Sequence, residues 1–192
     1  MNDIDEHEIE RLIQLYGEPR RLHFAADFLD FECDLVRRSA AKGRHHDITC
    51  FIRYGDGFAV IQKHDYADTP IFRAPSGGAN SGEPLEVAAK REMREETGLD
   101  IELRRFVLDV TLEVRCRDVT IPWRSLVFLA DAVGGSLDII DTREIHALRV
   151  MTKEELLGEV ERAMLRSGWG GFKYRAFLCR AFFDELDRIG SL

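Results

Sequence analysis

Residues 75–99, PSGGANSGEPLEVAAKREMREETGL, put three carboxylates on a helix face that ought to be buried. A glycine-rich loop (Gly77, Gly78, Gly82) leads into a helix that should begin near Pro84 and stop at Gly98. Proline suits a first turn, where its missing N–H is not needed, and glycine suits the position just past a helix end. At about 100° per residue, Leu85, Ala88, Ala89, Met93 and Leu99 form one apolar stripe. Glu92, Glu95 and Glu96 fall within that stripe at spacings i, i+3 and i+4.

Acids this close repel one another, and burying them unpaired is costly. A solvated acidic face would place them opposite the apolar residues, whereas here they share a side. Arg91, four residues before Glu95, cannot neutralise all three alone. A divalent metal can, and hard carboxylate donors favour Mg²⁺ or Mn²⁺ over zinc.

The spacing of these residues resembles the Nudix box over residues 77–99: Gly77, five residues, Glu83, seven residues, then Arg91-Glu92-Met93-Arg94-Glu95-Glu96-Thr97-Gly98-Leu99. The resemblance implies a Nudix hydrolase, a divalent-metal-dependent enzyme that cleaves a nucleoside diphosphate linked to another moiety. It implies Glu92, Glu95 and Glu96 as metal-binding acids, with the carbonyl of Ser76 as a further ligand. Arg91 would orient the acids, Glu83 would brace Arg91, Gly77 and Gly82 would let the loop turn, and Gly98 would stop the helix. The resemblance implies as general base a box glutamate or an acid from a later loop. Glu144 resembles that loop acid, with Asp138, Asp141 and Glu113 as weaker competitors. Two positions depart from the usual pattern, Asn80 in place of a glutamate and Ser76 in place of a glycine, and imply altered loop geometry. No version of the family's coenzyme A, NADH or ADP-ribose motifs is recognisable. Arg73, Arg124 and Trp123 could serve phosphate and base recognition from strand ends, with packing the simpler role for Trp123. The alternative from another class is a Nudix-fold module that binds a nucleotide without cleaving it. Such modules can dispense with the acids that this chain keeps.

Around the box the chain reads as an α/β fold, a mixed sheet flanked by helices. The resemblance implies the same α/β/α sandwich, with N-terminal and C-terminal helical additions. Strands are expected at 46–54 and 57–63 across a Gly55-Asp56-Gly57 turn, at 101–116 as one long or two short strands, at 123–133 and at 146–151. Thr152 and Glu155 form a capping-box pattern that opens a helix running to Met164. Residues 1–44 are expected as a helical extension and 45–192 as the hydrolase domain. Within the extension, 4–16 reads as a helix, while 20–44 supports either a helical stripe through Phe24, Phe28, Phe31, Leu35 and Val36 or alternation around Phe28 to Val36. Phe172, Ala176, Cys179, Phe183 and Leu186 mark a last helix that packs on the core or makes a subunit contact, so a homodimer stays open.

The formal charge of −8 argues against non-specific binding to nucleic acid or anionic membrane, while leaving a small anionic nucleotide derivative as the partner. Cys33, Cys50, Cys116 and Cys179 show neither a C-x-x-C pair nor zinc spacing, and buried free thiols are the expectation. Without an apolar leader or a span-length apolar run, the chain is expected in the cytoplasm, a reducing compartment.

Overall fold

The computed structural model describes residues 4–190. The outermost residues of the two expected segments, 1–3 and 191–192, lie outside the described residues. A seven-stranded mixed sheet carries the fold, in the order β1-β5-β6-β2-β3-β7, with the short β4 paired to β2. Its strands are β1 (Arg20–Asp27), β2 (His46–Tyr54), β3 (Gly57–Lys63), β4 (Ser76–Gly77), β5 (Leu99–Cys116), β6 (Val119–Gly135) and β7 (Ile145–Met151). β1 runs parallel to β5 and β2 parallel to β6, while the β5–β6, β2–β3 and β3–β7 ladders are antiparallel.

Because side chains alternate along a strand, central strands can be buried on both faces. On β2, Ile48, Cys50 and Ile52 meet the core beneath α1 (Glu6–Tyr16) and α3 (Leu85–Thr97). Phe51, on the opposite face, stacks on Phe182 of α6 (Gly170–Ile189) at 3.8 Å between ring centroids. The capping box at Thr152 forms as expected: its hydroxyl accepts from Glu155 N while Glu155 accepts from Thr152 N. That helix begins as α4 (Lys153–Glu155), passes through a π turn (Leu156–Val160) and ends as α5 (Glu161–Arg166). The last helix packs within the chain: Phe172, Ala176, Cys179, Phe183 and Leu186 are all buried.

Two expectations are corrected. The N-terminal extension is not helical throughout, because Arg20–Asp27 forms β1 and extends the sheet before α2 (Asp30–Ala41) begins. The Phe24 stripe misleads because half-buried β1 packs its apolar residues on one face: Phe24 stacks on Phe177 of α6 at 4.6 Å. The four cysteines are not all free. Cys50 and Cys179 are buried thiols, but Cys33 of α2 and Cys116 at the end of β5 form a disulfide, with Cα atoms 6.0 Å apart. Their separation of 83 residues gave no local signal, and the pairing removes the cysteine argument for a reducing compartment.

Candidate active site

The acidic helix forms where expected. Pro84 is its N-cap, and the N–H of Leu85 donates to Glu8 Oε1 at 2.6 Å, so α1 supplies the capping acid that proline cannot. Gly98 ends it in the left-handed region at φ 76°, its N–H donating to Arg94 O. A Cβ at Gly98 would lie 2.4 Å from Ser136 O, so both conformation and space require glycine there.

The three acids fan outward from the core edge. Glu96 is buried at 5% exposure, Glu92 is half-buried and Glu95 is exposed. Two of them close on β4: Ser76 N–H donates to Glu96 Oε2 at 2.9 Å, and a Cβ on Gly77 would sit 2.0 Å from Glu92 Cδ. The absent side chain at Gly77 is what lets the Glu92 carboxylate lie against the loop backbone. Burial, opposed by Arg91 and reinforced by the charges of Glu96 and Glu95, pushes the Glu92 carboxyl above its ordinary range.

Arg91 organises the loop and the acids together. It grips Glu83 through two parallel bonds of 2.9 and 2.8 Å, reaches Glu92 at 2.9 Å and Glu95 at 3.3 Å, and donates to Gly78 O. Asn80 adds its backbone and side-chain N–H groups to Glu83, so the departure from the usual glutamate closes the loop instead of opening it. Arg91 first, helped by the Asn80 N–H, holds the Glu83 carboxyl down to about 2 from an ordinary 4.5. A depressed carboxylate stabilises the fold fully above its unfolded value and loses that contribution as pH falls through its folded one. Glu83→Gln should therefore flatten the decline in melting temperature between pH 4.5 and about 2. Thermal scans across that window check it, and an unchanged slope would mean that the pair does not couple to folding.

Lys63, at the end of β3, was missed in the sequence because it closes an apolar strand with no motif around it. Its Nζ lies 3.3 Å from Glu96 and 2.7 Å from Glu144 Oε2, so one ammonium links the helix to the later-loop acid. Of the competitors, Asp141 N–H bonds the carbonyl of Glu95 while its carboxylate holds Arg143, and Asp138 accepts from Ser136. Glu113 pairs with His23 and Arg115 on the β1–β5 side of the sheet.

The two arginines read as substrate ligands have resident partners. Arg73 donates to Tyr66 Oη, Ala74 O and, at 2.9 Å, Ser76 Oγ. Arg124 forks onto Asp109 at 2.8 Å through two nitrogens and reaches Glu6 at 2.6 Å, which ties α1 to the β5–β6 ladder instead of the box. Arg175 of α6, invisible in the helix periodicity, donates to Asp47, Thr49 and Ser76 Oγ at 2.9, 2.9 and 3.0 Å. Ser76, unlike the glycine usual there, has a hydroxyl that accepts from both guanidinium groups.

The donor set suits a hard divalent cation, since it consists of carboxylate oxygens and a loop carbonyl. Among the described residues, no three His, Cys, Asp or Glu side chains stand together as a metal-holding group in this arrangement. The acids are instead turned onto Arg91, Lys63 and the loop backbone.

A glycine loop feeding an arginine-braced acidic helix, set against a mixed sheet between helices, defines the class of the Nudix pyrophosphohydrolases. The NUDIX domain family matches residues 43–168, and this chain belongs to that family. No curated protein matches it. Among solved structures, a NUDIX hydrolase from Nitrosomonas europaea shares the fold at TM-score 0.54 and 19% identity, covering 73% of this chain and 88% of that one. A UDP-X diphosphatase aligns at TM-score 0.49 and 15% identity, over 95% of this chain and 73% of that one. An ADP-ribose pyrophosphatase from Streptococcus suis aligns at 0.42 and 17%, over 57% and 74%. Among the described residues no helix is long and apolar enough to cross a membrane.

Proposed function

We propose that this chain hydrolyses the diphosphate linkage of a nucleoside diphosphate derivative by attack of water at phosphorus, using Mg²⁺ or Mn²⁺. The observation that carries this reading is the closure of Glu92 and Glu96 on the Ser76–Gly77 backbone from one helix face, with Arg91 holding Glu92 and Glu95. Glu92, Glu95, Glu96 and the Ser76 carbonyl would hold the cation. When bound, it would neutralise diphosphate charge and acidify a water.

The remaining steps belong to side chains of this chain. Arg91, anchored on Glu83, keeps Glu92 and Glu95 at fixed positions along the helix. Lys63 draws Glu144 toward Glu96, where the Glu144 carboxylate can accept the proton of the attacking water. Arg73 and Arg175 fix the Ser76 hydroxyl and, through it, the backbone that faces Glu96.

A panel of nucleoside diphosphate derivatives, incubated with Mg²⁺ or Mn²⁺ and read by product mass, tests the reaction. Activity should vanish on thorough chelation and return with excess Mg²⁺ or Mn²⁺. Cleavage that persists after chelation would remove the cation from the mechanism, and no cleavage of any panel member would remove the reaction.

A further inference from the structure

The Glu96 carboxylate is shared between two donors of different kinds. Its Oε2 accepts from the Ser76 N–H at 2.9 Å, a bond to fixed backbone. Its Oε1 faces the Lys63 ammonium at 3.3 Å, a contact carried by a flexible side chain. The Glu96 side chain is only 7% exposed, so little water can stand in for either donor. A divalent cation that uses Glu96 therefore has to take Oε1 from Lys63. The same ammonium lies closer to Glu144, at 2.7 Å, which makes Glu96 the looser of its two partners.

Lys63 is held in this place by the backbone on both sides. A register shift in the β3–β7 ladder passes over His146, so Lys63 pairs with Ile145, next to Glu144 in the chain. Bulges of this kind re-aim side chains beside reaction centres. Just before Lys63, the side chain of buried Gln62 donates to the carbonyls of Thr69 and Ile71 at 2.8 and 3.2 Å. Just after it, the His64 N–H donates to Glu144 O at 3.3 Å, and the ring Nε2 of His64 lies 3.1 Å from Thr142 O. With both neighbours anchored, the ammonium is directed between Glu96 and Glu144.

We propose that Lys63 is the resident counter-ion of the site: it holds Glu96 in the cation-free protein, yields it when a divalent cation binds, and keeps Glu144 in place throughout. Lys63 is thus a positioning residue that also competes with the cation, and it sets the affinity for that cation below what the acids alone would give. The inference rests on the roles proposed above for Glu96 and Glu144.

Removing the charge should move affinity and turnover in opposite directions. In Lys63→Met and Lys63→Gln, made in the full chain, Mn²⁺ binding measured by calorimetry without substrate should tighten by about tenfold or more, the scale of one charge-assisted contact. The rise in melting temperature on adding Mg²⁺ should grow with it. At saturating Mg²⁺ kcat should fall, because Glu144 loses the ammonium that draws it in. Lys63→Arg, which restores the charge, should bring Mn²⁺ affinity back towards that of the wild type. A merely structural Lys63 would weaken binding and turnover together. Mn²⁺ binding that is unchanged or weaker in both neutral variants overturns the proposal, even where the wild type is an active hydrolase. If the wild type cleaves no substrate, the hydrolase reading fails, while the Mn²⁺ comparison still decides the role of Lys63.

Discussion

Glu92→Gln is expected to lower turnover by roughly 10²–10³-fold, the scale on which losing one preorganised electrostatic partner acts in a water-excluded site. It should do so without lowering the melting temperature of the protein free of divalent cation. Glu92 lies half-buried against Gly77, and its carboxyl is raised above the usual range chiefly by burial. A raised carboxyl costs folding free energy once pH exceeds its folded pKa, and costs nothing below the unfolded value of 4.5, where both states are protonated. Glutamine removes that cost at neutral pH. It leaves Arg91 its two bonds to Glu83, so the loop brace survives. Differential scanning at neutral pH should show a metal-free protein as stable as the wild type or more so, with a smaller rise on adding Mg²⁺, and the stability difference should fade below pH 4.5. A variant that unfolds earlier yet turns over normally would make Glu92 a structural ion-pair partner of Arg91.

Phe183→Ala is expected to cost about 3–5 kcal/mol of unfolding free energy, the range for deleting a buried aromatic ring. Phe183 is fully buried, with ring centroids 5.3 Å from Phe58, 5.8 Å from Phe51 and 5.2 Å from Phe182. The Lys153 ammonium covers its ring at 5.6 Å. All of these partners belong to the same chain, so the loss should appear as a shift in the denaturant midpoint that does not depend on protein concentration. A concentration-dependent midpoint would instead place the helix in a subunit contact, and an unchanged midpoint would show that the ring adds nothing to the core.

The acidic helix, its glycine stop, the capping box at Thr152 and the long central strands were legible in the sequence because each is specified locally. Turn residues, caps and periodicity act over a few positions, and a stripe of apolar residues at helical spacing needs only some core to face. The box acids belong to the same level, since i, i+3 and i+4 spacing places them side by side whatever the rest of the chain does. Only the tertiary structure decided what lies around them. Residues 20–27 become a strand because β5 offers a parallel edge about 88 positions away in sequence, and their local pattern suits a half-buried helix as well as a strand. The Cys33–Cys116 bond, the Lys63 link to Glu144 across 81 positions and the Arg175 bond to Ser76 across 99 arise from pairing and packing that bring distant segments together. Arg124 shows the converse. A lone arginine near a strand start carries no sign of its partners, and folding gives it Asp109 and Glu6, because a charge carried into a half-dry site must find a counter-charge wherever the fold provides one.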